Sequence, residues 1–344
     1  MFERILVPLD GSERAERAIP VAARIARATS GSMVLLQVVE QATEYDMYPV
    51  RATIVTTQEV EVNVTKATDY LTSLMQKDEL EGVGIQIEVL IGDVAPTICS
   101  FAQSTAADLI VMCSHGYTGF KRWFLGSVAN VTARTAPVPV LILRDGGPLP
   151  TDMFQEGCPL RVLVTVDGSP LSEAVIEPVA HLAAALASPT QGEVHLLRIV
   201  DFPVTYGQGK SQANISMEII EQAKQTANAY LTSLMEQLVK GSIAPLNLSL
   251  SASVIVGNDV ASSIIEAAES IEDAFALLAL STHGRSGWKR RVMGSVTQRV
   301  LHSTKLPLFI VPPQQRAARK EGNYTQASTG AKAPGDGQSW VGLL

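Results

Sequence analysis

The chain has 344 residues, 46% of them hydrophobic and 18% charged, an ordinary globular composition with length enough for two domains that each bury a core. Its formal net charge of −7 argues against nucleic acid or an anionic membrane surface as the main partner. No apolar run approaches the roughly 18 residues of a membrane span, no secretory signal precedes the first strand pattern, and Cys99, Cys113 and Cys158 form no Cys-x-x-Cys, so a reducing cytoplasm is the expected setting.

Residues 4–9 form an apolar run that ends in Asp10-Gly11-Ser12, after which Ala15, Ala18, Ile19, Ala22, Ala23, Ile25 and Ala26 recur at helical spacing. Gly31 ends that pattern. Residues 33–39 read as a second buried strand, 40–57 as a long polar connection and about 59–80 as a helix. A third strand at 84–90 ends in Gly92-Asp93, a helix starts near Ala95, and a fourth strand runs from Asp108 to Cys113. A glycine-bearing loop then leads into a helix from Ser127 and a fifth strand at 138–143. Continuous Val, Ile and Leu strands alternating with helices predict a parallel sheet covered on both faces, with right-handed crossovers.

The same order then returns. Ile5-Leu6-Val7-Pro8-Leu9-Asp10-Gly11-Ser12 reappears as Val162-Leu163-Val164-Thr165-Val166-Asp167-Gly168-Ser169, and residues 70–75 are repeated letter for letter at 230–235. Residues 138–143 likewise match 306–311. This is duplication of one domain, with expected second-copy strands near 160–166, 193–200, 247–256, 275–281 and 307–311. The expected boundaries are a first domain at 1–144, a linker at 145–159 and a second domain at 160–313. Residues 314–344 carry no periodicity and are expected to be disordered.

The chemistry concentrates in two loops. Ser114-His115-Gly116 is followed nine residues later by Gly126-Ser127, and Thr282-His283-Gly284 by Gly294-Ser295 at the same spacing. Each loop runs from a buried strand into a helix, where glycines let backbone approach a ligand and unpaired amides favour an anion, so the pair suggests a phosphate cradle. Asp10 and Asp167 end the first strands, and Val38 or Val39 and Ile199 or Val200 end the second. If strands one and four are neighbours, a carboxylate for a ribose hydroxyl, an apolar strand end for a base and glycine amides for phosphates share one crevice. Asp10 and Asp167 equally suit a turn within Asp-Gly-Ser, and one carboxylate can serve both roles.

Other signals are weaker. His115 and His283 lie beside the cradle, where an imidazole could assist phosphoryl chemistry or simply fix loop backbone. Lys121, Arg122, Arg285, Lys289, Arg290 and Arg291 could neutralise phosphates or form a solvated loop, with Trp123 and Trp288 packing it down. Gly207-Gln208-Gly209-Lys210-Ser211 imitates a P-loop but follows a long loop rather than a strand end. The five histidines and three cysteines are scattered without metal-ligand spacing, and no nucleophile-base arrangement stands out.

On Val7-Pro8-Leu9-Asp10-Gly11-Ser12, Gly92-Asp93-Val94-Ala95, Ser114-His115-Gly116 with Gly126-Ser127-Val128, and Pro137-Val138-Pro139-Val140-Leu141, the chain resembles the universal stress protein family in its tandem form. The resemblance covers about 1–144 and 158–313. It implies two tandem doubly wound α/β domains, each a five-stranded parallel sheet of order 3-2-1-4-5, similar in fold to the adenine nucleotide α-hydrolase group. ATP-binding members carry Gly-x2-Gly-x9-Gly-Ser/Thr. Gly116 with Gly126-Ser127 and Gly284 with Gly294-Ser295 match its later elements, while Cys113 and Ser281 replace the first glycine.

The resemblance implies a nucleotide site built in the first copy from Pro8, Asp10, Val38, Cys113, His115, Gly116, Gly119, Gly126, Ser127 and Val128. In the second copy it implies Asp167, Ile199, Ser281, His283, Gly284, Gly287, Gly294, Ser295 and Val296. The aspartates would contact ribose, and Val38 and Ile199 would present backbone to adenine. The implied ligand is ATP, or ADP or AMP, with Mg²⁺ accompanying the phosphates. The expected role is stress-linked nucleotide binding or sensing with at most slow hydrolysis; the alternatives are a slow ATPase and a nucleotide-free interaction scaffold. Family members pair through the fifth strand, so an internal pseudo-dimer is expected, with room for a further homodimer. The second copy's Gly257-Asn258-Asp259-Val260-Ala261 holds one residue more than Gly92-Asp93-Val94-Ala95, so that wall of the site should differ.

Overall fold

Each repeat opens with a strand, a glycine turn and a capped helix. Strand β1 (Arg4–Leu9) is buried apart from its first residue. Gly11 then takes φ +84° and its counterpart Gly168 φ +80°, left-handed values that a side chain rarely adopts. Ser12 caps α1 (Glu13–Glu16) by accepting from the Ala15 amide, and α2 (Ala18–Thr29) follows. The helical pattern is thus broken at Arg17, because Pro20 has no N–H for the Glu16 carbonyl.

The computed structural model describes residues 1–40, 57–114, 125–145, 147, 149, 160–202, 210–270, 275–284 and 293–313. The first repeat continues with β2 (Ser32–Val39), α3 (Thr57–Leu74), β3 (Gly84–Ile91), α4 (Val94–Ser104), β4 (Leu109–Cys113), α5 (Ser127–Thr135) and β5 (Val140–Leu143). The second holds β6 (Leu160–Thr165), α6 (Pro170–Glu173), α7 (Ile176–Ala187), β7 (Gly192–Asp201), α8 (Lys210–Lys240), β8 (Leu248–Gly257), α9 (Val260–Ala268), β9 (Leu277–Ser281), α10 (Ser295–Ser303) and β10 (Leu308–Val311). The helix expected to reach residue 80 stops at Leu74, and a separate 3-10 turn, Asp78–Leu80, buries Leu80. The tail from 314 and most of the expected linker lie outside the described residues.

Among the described residues ten strands form one sheet in the order β3-β2-β1-β4-β5-β10-β9-β6-β7-β8. Each repeat therefore has strand order 3-2-1-4-5, with parallel pairing inside it, and β5 meets β10 antiparallel through Leu141 opposite Phe309. One apolar cluster under α2, α3, α7 and α8 and another under α4, α5, α9 and α10 both run through the two repeats. Leu141 and Phe309 enter the first cluster, Val140 and Ile310 the second. Both faces of the junction are therefore covered by apolar core.

Two arginines reinforce the junction from one side. Arg24 of α2 donates to the carbonyls of Leu186 (2.6 Å) and Ser188 (2.9 Å) at the end of α7. Arg144, just after β5, is buried and donates to Leu301 O (2.6 Å) in the last turn of α10. Each supplies a cation to helix carbonyls that have no intrahelical partner. Burial lowers the Arg144 pKa to about 10, which leaves it charged at neutral pH. The corresponding positions of the second repeat, Leu182 and Pro312, cannot return the contact.

The repeats share a tie between helices: Tyr70 donates to Glu16 (3.0 Å), and Tyr230 to Glu173 (2.7 Å). Burial and the neighbouring carboxylate raise both phenol pKa values. They differ at the turn before the third crossover helix. Asp93 caps α4 without a side-chain bond, whereas the extra residue Asn258 lets Asp259 cap α9 by accepting from Ser262 N and also hold Arg299 at 2.6 Å.

Phe309 is fully buried at the junction and its ring meets Phe2 edge-on at 6.5 Å. Phe309→Ala should cost about 3–5 kcal/mol, read by urea unfolding as one transition moved to lower denaturant; separate transitions for the two halves would contradict a shared core. The Arg299 hydrogen bond, followed by that from the Ser262 amide, lowers the Asp259 pKa to about 2 from 3.8. The stabilisation is therefore present above the unfolded value and lost as pH falls through about 2. A carboxyl NMR titration should show that midpoint, and Arg299→Ala should move it upward.

Candidate functional site

The carboxyl ends of β1, β2 and β4 open into a crevice of about 410 Å³ in the first repeat. It lies where the chain order reverses between β1 and β4, the position at which doubly wound sheets bind ligands. Pro8 and Asp10 come from the end of β1, Val38 from β2 and Cys113 from β4. The opposite wall is the start of α5, with Gly126, Ser127 and Val128. Those seven predicted residues are thus gathered in one cleft, while His115, Gly116 and Gly119 lie outside the described residues.

The α5 end suits an anion. Gly126 is its N-cap and has no side chain to bond the first amides, unlike Ser12 on α1. The amides of the first turn of a nine-residue helix therefore face the crevice with the positive end of the helix dipole. The loop base is pinned: Gly126 N donates to Ser114 O at 2.7 Å, and Ser114 N to Leu143 O at 2.7 Å. The second repeat repeats this, with Gly294 N on Thr282 O (2.8 Å) and Thr282 N on Val311 O (3.0 Å).

Asp10 is engaged in the turn. Its Oδ1 accepts from Ser12 N (3.1 Å) and Ser12 Oγ (2.6 Å), so the turn reading made from Asp-Gly-Ser describes one of its oxygens. Asp167 Oδ1 likewise accepts from Ser169 N at 2.9 Å. Its Oδ2 lies so close to Gly284 that a Cβ there would collide with it. The ends of strands one and four thus face each other in the second repeat, and Gly284 is required by that approach rather than by its φ.

Cys113 stands at the first-glycine position of the pattern that the sequence resembles, and its side chain turns into the protein. Sγ is 3.8 Å from Ala15 O, and the residue packs with Leu9 and Ala15 in the first core cluster. Burial pushes its thiol pKa up to about 12, so it is inert near neutrality. Ser281 is also buried; its carbonyl accepts from Thr297 Oγ1 at 2.8 Å. His283 Nδ1 sits 2.9 Å from Thr282 Oγ1. Ile199 packs against the second cluster, and Gly294, Ser295 and Val296 open α10. Gly287 and the basic and tryptophan residues of both loops lie outside the described residues.

Sequence reasoning missed several walls. Gln37 lines the crevice, and its Oε1 is buried with no hydrogen-bond partner among the described residues. Glu40, Val94, Ile98 and Met112 also line it. Val94 and Ile98 are four apart on one helix face, a signal the sequence contained. The second repeat has Arg198 in place of Gln37. Its guanidinium is against Gly168 and stacks over the Tyr230 ring at 4.8 Å. The run at 207–211 ends at a helix after all, since α8 begins at Lys210, but β7 ends at Asp201. Among the described residues no helix is long and apolar enough to cross a membrane, and no three His, Cys, Asp or Glu gather to hold a metal.

A structure of a universal stress protein from Archaeoglobus fulgidus superposes with a TM-score of 0.60 at 18% identity, covering 91% of this chain and 100% of that one, a likeness of fold. A universal stress protein of Methanocaldococcus jannaschii is 31% identical over 144 residues, 42% of this chain and 83% of its own. The Bacillus subtilis universal stress protein YxiE is 26% identical over 159 residues, 42% of this chain and all of its own, so each relative corresponds to about one repeat. The Universal stress protein family model matches twice, at residues 1–144 and 160–312, and the chain therefore belongs to that family, carrying two of its domains in tandem.

Proposed function

We propose that the chain is a stress-linked adenine-nucleotide binding or sensing protein, acting in the cytoplasm, whose principal site is the first-repeat crevice. The observation that carries this reading is the crevice itself. Its volume of about 410 Å³ suits a small-molecule ligand. It also pairs an uncapped helix start with a strand-end carboxylate and an apolar strand end. Phosphates would lie against the Ser127 and Val128 amides, ribose against Asp10 and the base along Val38. The unpartnered Gln37 Oε1 supplies an acceptor for a donor on the ligand. Mg²⁺ would arrive with the phosphates.

The second crevice is the weaker site in this reading. Arg198 and Asp167 already occupy the strand ends that Gln37 and Asp10 hold in the first repeat, packed on Tyr230 and against Gly284. The paired fifth strands make the two domains an internal pseudo-dimer, which frees the chain from needing a partner copy at that edge.

Calorimetric titration with MgATP tests the reading. Asp10→Ala should weaken binding about 10–100-fold, the worth of one charged hydrogen bond, while Asp167→Ala leaves the main isotherm in place. No binding heat in the wild type would leave the interaction-scaffold alternative standing. Cys113→Gly should leave ATP affinity unchanged, since Sγ points to Ala15, but lower the melting temperature through a glycine in a buried strand. Tighter ATP binding in that variant would show that the thiol crowds the ligand.

A further inference from the structure

A cluster on the second repeat shares no residue with the first-repeat crevice. On one face of β7 and the edge strand β8, His195 Nδ1 is 2.7 Å from Ser251 Oγ and its Nε2 is 2.7 Å from Ser253 Oγ. Ser251 Oγ donates to Glu193 Oε1 at 2.6 Å. Arg161 Nε donates to Glu193 Oε2 at 3.0 Å, and its guanidinium lies 4.7 Å from the centre of the Phe275 ring. Burial opposes the Glu193 charge, yet the hydrogen bonds from Ser251 and Arg161 prevail and hold its carboxyl below the usual range.

With a neutral His195 ring, the protons in this chain follow by elimination. Ser251 has one hydroxyl hydrogen and gives it to ionised Glu193, so its oxygen must accept from Nδ1–H of His195. The neutral ring then carries its lone pair on Nε2, which must accept from Ser253 O–H. A hydroxyl on an imidazole lone pair, with the far nitrogen oriented by a polar group leading to a carboxylate, is the arrangement of a base-assisted nucleophile. Ser253 is partly exposed, so a small reagent can reach it. The first repeat has Val34, Gln86 and Glu88 at the register positions of His195, Ser251 and Ser253, so this chemistry belongs to one repeat.

We propose that Ser253 is a base-assisted nucleophile that accepts the acyl group of small activated esters and thioesters. Ser253 Oγ bonds to the acyl carbon while the bond from that carbon to the leaving oxygen or sulfur breaks. The hydroxyl proton passes to His195 Nε2 and from there to the departing group, with no change of oxidation state. Ser251 and Glu193 are positioning residues that fix the tautomer.

The test is acetylation of the full chain by p-nitrophenyl acetate, followed by peptide mass spectrometry. Ser249, two residues before Ser251 on the same face of β8 and bonded to Gly192 O, is the internal comparator. Ser253 should acetylate on the order of a hundredfold faster than Ser249, with that advantage lost in folded His195→Gln. Imidazole ¹⁵N NMR should show the Nδ1–H tautomer in the wild type and a mixture in Ser251→Ala. Equal rates at Ser253 and Ser249, a rate unchanged in His195→Gln, or an Nε2–H tautomer in the wild type would each overturn the assignment.

Discussion

The antiparallel pairing of β5 with β10 is the constraint on which the rest of the molecule depends. Both are four-residue strands without a polar side chain, and every residue of each is buried. As an edge, either would expose a row of unpaired backbone groups flanked by Leu, Ile, Val or Phe, which invites uncontrolled association. Joined to each other they become the centre of a ten-stranded sheet, and the helices on each face gain one continuous core.

Duplication makes such a junction symmetric in outline, and this chain has made it one-sided in detail. Arg24 and Arg144 reach from the first repeat to helix ends of the second, and Leu182 and Pro312 give nothing back. A surface used this way matches only its complement in the same chain, whereas a two-fold dimer interface must match itself. The same divergence separates the two crevices. Gln37 is matched by Arg198, and the extra Asn258 gives α9 a capped, ion-paired start. The first repeat has an open cleft at the start of α5, and the second carries internal charge contacts.

The His195 cluster extends that divergence to the opposite end of the sheet. Replacement of Val34, Gln86 and Glu88 by His195, Ser251 and Ser253 converts an ordinary strand pair into an oriented hydrogen-bond chain ending on Glu193. Two copies of a fold in one chain let one copy keep a surface while the other changes it, because the shared core stabilises both.

Local pattern determined the alternation of strands and helices, the duplication and the placing of Asp10, Val38 and Cys113 at strand ends and Gly126 at a helix start, since apolar periodicity and glycine placement are written residue by residue. Only tertiary structure decided the rest. The break at Arg17 follows from a proline two residues inside the next helix, and the inward turn of Cys113 from the seat that Ala15 offers. Gln37 and Met112 became crevice walls because strand ends from distant parts of the chain converge there. His195, Ser251 and Glu193 come from neighbouring strands separated by the whole of α8, so their spacing carries no motif. Parallel pairing alone brings them within hydrogen-bond reach, because register, rather than sequence distance, decides which side chains stand opposite each other.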